Sequence, residues 1–242
     1  MHIGIVSLFP NLFDALHYGI IGRAITQEII KLHFANPRDY GLGKHHHIDD
    51  KPYGGGAGMV MRVEPLIAAI AACQRLIPVP VKRIYLSPQG QPLNQKIISE
   101  LAQHPGLLLV CGRYEGIDER VLELAIDVEY SLGDYILSGG EFAACVLIDA
   151  ITRLQPNAIG AATSLASESF TAGLLEYPQY TRPASYQGKV VPSVLLSGNH
   201  AAIARWRLQQ ALGRTRLKRC DLLQERELTR EEQDLLASFS EE

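Results

Sequence analysis

Apolar residues in the first two thirds of the chain follow two alternating patterns. Short apolar runs predict strands at IGIVSL (3–8), RIYLS (83–87), LLLVCG (107–112), IDVEYS (126–131) and DYILS (134–138). Apolar positions three and four residues apart predict helices from Asn11 towards Phe34 and over 63–76, 92–104, 116–125 and 139–154. Strands that alternate with helices predict an α/β fold, in which helices cover both faces of a mainly parallel sheet.

The pattern changes near residue 156. PNAIGAATSLASES (156–169) is rich in Gly, Ala and Ser, which is typical of a flexible linker. Helical periodicity returns over 200–212 and 229–239, and the second of these begins with the capping-box spacing Thr229…Glu232. We therefore expect a first domain over 1–158, a linker over 159–171 and a small helical domain over 172–242.

The composition is that of an ordinary globular protein. The 242 residues are 47% hydrophobic and 20% charged, with no apolar run of about eighteen residues, so we expect no membrane-spanning helix. The beginning of the chain, MHIGIVSLFP, lacks the basic region and cleavage site of a signal peptide. The four cysteines are scattered, which favours buried thiols over disulfides or a zinc site. These features predict a cytoplasmic protein.

Charge is unevenly distributed although the net charge is only −3. No Asp or Glu occurs from Arg182 to Cys220, a stretch that also contains Tyr186 and Trp206. Its basic residues are Arg182, Lys189, Arg205, Arg207, Arg214, Arg216, Lys218 and Arg219. A local basic surface binds a phosphate backbone even on an acidic protein. This favours a nucleic-acid contact over the alternative, a solvated helix with random charges.

The common nucleotide-binding motifs are missing. PYGGGAGM (52–59) does not fit G-x-G-x-x-G, and neither G-x-x-x-x-G-K-[ST] nor G-x-S-x-G occurs. A nicotinamide-dependent oxidoreductase is therefore disfavoured. Gly-containing loops nevertheless follow the strands at 83–87, 107–112 and 134–138, and the carboxyl ends of parallel strands are where α/β sheets bind ligands.

Other polar clusters have competing interpretations. KHHHIDD (44–50) could ligate a metal, but adjacent histidines point in different directions, which favours an exposed loop that contacts RNA. Asp49 and Asp50 could position Mg²⁺ or serve only as loop carboxylates. Asp149 and Arg153 have the i,i+4 spacing of a surface ion pair, and spacing alone favours that interpretation over a substrate contact.

Five motifs in fixed order resemble those of bacterial tRNA (guanine-N1)-methyltransferases, a family in the SPOUT class of S-adenosylmethionine-dependent enzymes. They are YLSPQG (85–90), CGRYEGIDER (111–120), SLGDYILSGGE (131–141), GLLEYPQYTRP (173–183) and LLSGNHAAIARWR (195–207). The resemblance extends from residue 5 to the last helix. It implies that the first domain contains a deep trefoil knot, a feature that the pattern itself does not predict.

The resemblance also implies site residues. The S-adenosylmethionine pocket would consist of Tyr85, Leu86, Ser87, Pro88, Gly112, Tyr114, Glu115, Leu132, Gly133, Asp134, Tyr135, Ile136, Leu137, Gly139 and Gly140. Arg153 would stabilise charge at guanine O6. Glu168 takes the position of the general base, where the family pattern has Asp.

The implied substrate is guanine 37 of tRNA, next to the anticodon. The implied assembly is a homodimer whose C-terminal domain, including the basic 182–220 stretch, helps to hold tRNA. A requirement for Mg²⁺ is also implied, with no site readable beyond Asp49 and Asp50. Two alternatives stay open: methylation of another RNA position, and an inert RNA-binding module.

Overall fold

The computed structural model describes residues 1–159 and 168–240, and the chain divides into two compact units, Met1–Gly160 and Ala161–Glu242. The boundaries expected from the sequence stay a prediction. Residues 160–167, most of the expected linker, lie outside the described residues.

The first unit is built on a five-stranded sheet in which every neighbouring pair of strands is parallel. Its strands are β1 (His2–Val6), β2 (Lys31–Ala35), β5 (Lys82–Pro92), β6 (Gly106–Val110) and β7 (Val128–Ser131). The order β2-β1-β6-β5-β7 places β6 at the centre, and all of its residues are buried. A central parallel strand is covered on both faces, which explains why GLLLV is apolar throughout.

Helices cover both faces of this sheet, so the predicted α/β architecture is confirmed. They are α1 (Gly19–Thr26), α2 (Val63–Arg75), α3 (Gln95–Leu101), α4 (Glu119–Ala125) and α5 (Glu141–Arg153), with 3-10 turns at Pro10–His17 and Pro37–Tyr40. Successive residues of β6 alternate between two apolar clusters. Leu107 and Leu109 pack in the cluster that includes α5, whereas Leu108 and Val110 pack in the cluster that includes α2. A short antiparallel pair, β3 (Asp49–Asp50) and β4 (Val60–Met61), completes the unit.

Two of the predicted elements are wrong. The helix expected from Asn11 towards Phe34 is a 3-10 turn, then α1, then strand β2, because residues 31–35 pair in parallel with β1. The strand expected over 134–138 is an irregular loop. The other predicted helices and strands of this unit are present, with ends that shift by up to three residues, except that the strand predicted over 83–87 continues to Pro92.

The second unit has a small helical core. Its elements are the hairpin β8 (Ser185–Tyr186) and β9 (Lys189–Val190), and helices α6 (Ser193–Leu196), α7 (His200–Lys218), α8 (Cys220–Gln224) and α9 (Arg230–Ala237). Leu174, Ala211, Leu212 and Leu235 form the buried core. The predicted capping box is confirmed: Thr229 Oγ1 accepts from Glu232 N at 3.2 Å, and Glu232 Oε2 accepts from Thr229 N at 2.8 Å.

Much of this unit is left uncovered, since no residue from 175 to 210 is buried. In the described part of the chain, no helix combines the length and the apolar character needed to cross a membrane.

Candidate functional site

The loops at the carboxyl ends of β5, β6 and β7 converge on one pocket of about 350 Å³. All the residues that the sequence resemblance assigned to a cofactor line this pocket, except Asp134. Neighbouring lining residues that the sequence did not single out include Arg113, Ser131 and Ser138. Ligand pockets of roughly 300–1,000 Å³ are usual for small molecules, so the space suits a ligand of nucleoside size.

The first wall of the pocket comes from a bulge in β5. Leu86 and Gln91 both pair with Tyr130 of β7, so the residues between them are pushed out of the sheet. The bulge is held by a hydrogen bond from Gln89 N to Ser87 Oγ of 3.1 Å. A Cβ at Gly90 would lie 2.5 Å from the backbone nitrogen of Tyr130, so only glycine fits at this crossing.

The second wall is the loop after β6, which packs on Tyr85. A Cβ at Gly112 would lie 2.5 Å from Tyr85 Oη, so the ring and the loop backbone are in direct contact. Burial raises the pKa of Tyr85 to about 12. The phenol therefore stays protonated at neutral pH and is not a general base. The loop is also tied to residues 59–61, because Glu115 N donates to Met59 O and Met61 N donates to Gly116 O, each at 3.0 Å.

The third wall is the loop over 132–140, which the sequence analysis had expected to contain a strand. Three of its apolar side chains face solvent: Tyr135, Ile136 and Leu137 are 55%, 81% and 41% exposed. The loop starts from a turn in which Gly133 N donates to Ser131 Oγ at 3.1 Å. Exposed apolar side chains on a pocket wall provide the surface that covers a flat, weakly polar ligand such as a nucleobase.

A buried ion pair joins the second and third walls. Arg113 Nε donates to Glu141 Oε2 at 2.9 Å, and Glu141 is fully buried. Ser7 Oγ donates to the other carboxylate oxygen at 2.9 Å. The sequence analysis missed this network, because its members lie 28 and 134 positions apart. The only signal was a Glu directly after Gly139-Gly140, in the first turn of a helix.

The cysteines near the pocket are poor nucleophiles. Burial raises the pKa of Cys111 well above its usual range, and nearby Glu141 raises it further. Burial also raises the pKa of Cys145. A thiol is nucleophilic as its thiolate, so these residues do not supply a covalent step.

Neither of the two predicted catalytic residues is among the residues that line this pocket. Arg153 is the last residue of α5 and is half-buried. Glu168 belongs to the second unit, where its carbonyl oxygen accepts a hydrogen bond from Thr171 N at 3.3 Å. Both residues take part in further interactions.

The histidine-rich segment does not form a metal site. His45, His46 and His47 are exposed, as predicted, and within residues 1–159 and 168–240 no three His, Cys, Asp or Glu side chains group closely enough to hold a metal ion. Asp50 lies 3.6 Å from Arg62 Nη1 and also accepts a hydrogen bond from Lys51 N.

The basic stretch of the second unit forms an exposed surface. Arg207 stacks on Tyr177 with its guanidinium carbon 4.7 Å from the ring centre, and the rings of Tyr180 and Trp206 lie 6.4 Å apart. A cavity of about 390 Å³ lies at this surface, and Tyr177, Tyr180, Arg182 and Arg207 help to line it. The charge of Arg219 is partly neutralised, since its Nη2 lies 2.6 Å from a carboxylate oxygen of Asp221. Cationic and aromatic side chains together are typical of nucleic-acid surfaces.

Known proteins are similar to this chain over nearly its whole length. The family described as tRNA (Guanine-1)-methyltransferase TrmD matches residues 1–225. A protein of Coxiella burnetii (strain Dugway 5J108-111) named tRNA (guanine-N(1)-)-methyltransferase is 54% identical over 240 residues, which are 99% of this chain and 98% of the relative. A relative with the same name in Pseudomonas syringae pv. tomato is 53% identical over 243 residues, which are 100% of this chain and 97% of the relative. Another, in a Synechococcus species, is 55% identical over 238 residues, which are 98% of this chain and 94% of the relative.

Proposed function

Because the chain belongs to the tRNA (guanine-1)-methyltransferase family, we propose that it transfers the methyl group of S-adenosylmethionine to N1 of guanine 37 in tRNA. The observation that carries this proposal is the convergence of three loops on one pocket lined by nearly all the residues expected to bind the methyl donor. These loops are far apart in the sequence, and the fold joins them at the carboxyl edge of a parallel sheet, where such sheets bind ligands.

The residues of the pocket suit the methyl donor. Leu86, Ile136 and Leu137 offer apolar surface to an adenine ring, while the glycine-rich backbone at 112 and 139–140 allows close approach. The bound donor supplies an electrophilic sulfonium methyl group. Within the pocket, the side chains fix the orientation of the donor, and the exposed loop 132–140 covers its base.

Guanine N1 must lose a proton when the methyl group is transferred. We assign the base to Glu168, whose carboxylate would accept this proton within hydrogen-bond reach. The family pattern has Asp here, and Glu is longer by one methylene. A displacement of about 1 Å in a catalytic group lowers the rate by roughly 10²-fold unless the backbone compensates. For its carboxylate to reach the same place, the backbone at Glu168 must lie slightly farther from the guanine than the backbone of an Asp would.

Negative charge develops on guanine O6 as the proton leaves N1. We assign its stabilisation to Arg153, because a guanidinium near the oxygen donates hydrogen bonds to the developing charge. Its position in the last turn of α5 gives the side chain a rigid support. We therefore prefer this catalytic role for Arg153 to the surface ion pair with Asp149 that the i,i+4 spacing alone indicates.

The second unit is proposed to hold the tRNA. Arg182, Arg205 and Arg207 are exposed in the acid-free stretch, and aromatic rings lie among them. Cationic side chains would contact phosphates and Trp206 would contact a base or sugar. Binding by this surface would weaken steeply as salt concentration rises.

A homodimer is the proposed assembly. In the first unit, Phe142 and Val146 lie one turn apart on α5 with more than half of each side chain exposed. In the second unit, residues 175–210 include no buried side chain, although Leu196 and Val190 are apolar. Exposed apolar surface of this extent favours an interface, and a second copy would cover it. Sedimentation velocity on the purified protein tests this state directly.

The proposal includes the knot but no metal step. The knot is the one that the resemblance implies, and the loops after β6 and β7 that would take part in it are in backbone contact, since Gly140 N donates to Gly112 O at 3.0 Å. No step is derived through Mg²⁺, because the described residues offer no cluster of ligands suited to it.

The test is methyl transfer to defined RNA. Purified protein is incubated with labelled S-adenosylmethionine, with and without Mg²⁺, and with tRNA transcripts that carry G or A at position 37. We expect label only in the G37 transcript. Label in both transcripts would point to another RNA position, and binding of donor and tRNA without transfer would point to an inert module.

A further inference from the structure

Glu141 lies behind the pocket rather than in its lining. It opens the first turn of α5, where a negative charge is favoured by the helix dipole, and it is 0% exposed. Both of its oxygens are used, by Ser7 and by Arg113. A buried carboxylate is unfavourable unless it is paired, and an apolar residue of similar size would often be at least as stable. Its charge therefore calls for a role other than stability.

Arg113 carries the effect of Glu141 to the pocket. Its Nε binds Glu141, while its Nη1 donates to the carbonyl oxygen of Ser138 at 3.0 Å. Its guanidinium also lies 4.7 Å from the ring centre of Phe9, whose backbone nitrogen donates to Ser7 Oγ at 3.0 Å. The guanidinium is thus held from three sides, which fixes the direction of the bond to Ser138.

The loop 132–140 is shaped to receive this arginine. A Cβ at Gly139 would lie 2.3 Å from Arg113 Nε, so the guanidinium packs against bare backbone. A Cβ at Gly140 would lie 2.9 Å from the Cα of Cys111. These contacts clamp the end of a loop whose other residues, Tyr135 to Leu137, are exposed and have little packing of their own.

We propose that Glu141 is a positioning residue, which acts through Arg113 to hold the 132–140 loop in the shape that binds the methyl donor. This inference rests on the proposed function. It assigns Glu141 no contact with donor or RNA. A planar guanidinium makes two directed bonds at once, so lysine at 113 cannot replace it.

The experiment compares Glu141→Gln, Arg113→Lys and Ser7→Ala with a control, Asp127→Asn. The control weakens a charged pair in the same sheet, between Asp127 and Arg83 at 2.6 Å, away from the pocket. Two readouts are used: the Kd of S-adenosylhomocysteine by calorimetry, and amide hydrogen exchange of residues 132–140 in the free protein. Loss of a charge-assisted hydrogen bond should raise the Kd about tenfold in Glu141→Gln and Arg113→Lys.

We expect faster exchange over 132–140 in these two variants, an intermediate effect in Ser7→Ala, and no change in KM for tRNA. Asp127→Asn should lower the melting temperature without altering Kd or loop exchange. Equal Kd and equal exchange in Glu141→Gln and the wild type would overturn the proposal. If Glu141→Gln does not fold, Ser7→Ala decides, because it removes the bond to Glu141 and the bond from Phe9 N but leaves the pair between Glu141 and Arg113 in place. A wild type that binds no S-adenosylhomocysteine refutes the proposed function, and loop exchange then still decides the role of Glu141.

Discussion

Gly112→Ala tests the contact between the loop after β6 and Tyr85. The added methyl group would lie 2.5 Å from Tyr85 Oη and 2.9 Å from Cε2. Carbon atoms pack best at roughly 3.5–4.0 Å, so the ring must move by about 1 Å. Tyr85 is 8% exposed and its backbone is fixed in β5, so the open side of the ring faces the pocket that we propose for the methyl donor. Forcing a methyl group into a packed site costs about 1–3 kcal/mol.

That strain should fall mainly on donor binding. The free protein relaxes by turning the Tyr85 ring into the pocket, and binding must reverse the movement. If moving the Tyr85 ring back costs about 2 kcal/mol of the binding free energy, the Kd for S-adenosylhomocysteine rises by roughly 30-fold. If the remaining strain is about 1 kcal/mol, the melting temperature falls by about 2–4 °C. Isothermal calorimetry and thermal unfolding measure the two effects separately.

The matched control is Gly106→Ala at the first residue of β6, at the end of the strand opposite to the loop that contains Gly112. Its Cβ would meet Pro80, Val79 and Val81 at 3.0 Å, so it adds the same methyl group away from the pocket. We expect a small loss of stability and no change in Kd. If Gly112→Ala bound the ligand as tightly as the wild type, or if both variants weakened binding equally, the reasoning from contact with Tyr85 would be refuted.

Three further predictions address the base, the sheet edge and the second unit. Glu168→Gln should lower kcat by about 10²–10⁴-fold and leave the Kd for S-adenosylhomocysteine within about twofold of the wild-type value. Glu168→Asp keeps a carboxylate and should stay active. Burial lowers the pKa of His2 and His33, whose ring nitrogens lie 2.9 Å apart. Below about pH 6.5 the unfolded chain therefore binds more protons than the folded protein, so the free energy of unfolding is highest above that pH and falls on acidification. In His33→Gln this fall should be smaller. Urea titrations at pH 7.5 and 5.5 measure the difference. Thr229→Ala should destabilise α9 by about 1 kcal/mol in thermal unfolding, and Thr229→Ser should not.

Each of these has a clear opposing result. Near-normal turnover in Glu168→Gln would remove it as the base. Identical pH slopes in the wild type and His33→Gln would show that the histidine pair is not responsible. Unchanged unfolding in Thr229→Ala would mean that the capping box does not limit the stability of α9.

The sequence pattern correctly predicted strands that are buried on both faces. It failed where the type of element depends on pairing with a strand far away in the sequence. LLLVCG is apolar throughout because both faces of β6 are covered, so its strand was readable from the sequence alone. KLHFA (31–35) looked like the continuation of a helix. It is a strand because β1 pairs with it, and no local signal reports that partner.

The lining of the candidate pocket was predictable mainly through the motifs. Gly112, Gly139 and Gly140 stood out as residues that allow close backbone contact. DYILS was misread because its apolar residues suggested burial, whereas Tyr135, Ile136 and Leu137 form the exposed wall of a pocket. The network of Ser7, Arg113 and Glu141 could not be seen, since a salt bridge across the fold leaves no periodic trace.

The strand order has a consequence for how the protein becomes functional during synthesis. β1 lies beside β6, and the pocket closes only when the loop 132–140 and α5 are present. A nascent chain must therefore carry at least residues 1–153 outside the ribosome before the pocket is complete. At about 5–20 residues per second, β1 waits at least several seconds for its central neighbour. During that interval β1 can pair with β2 on one edge, while its other edge, which β6 covers in the finished sheet, stays open to wrong pairing.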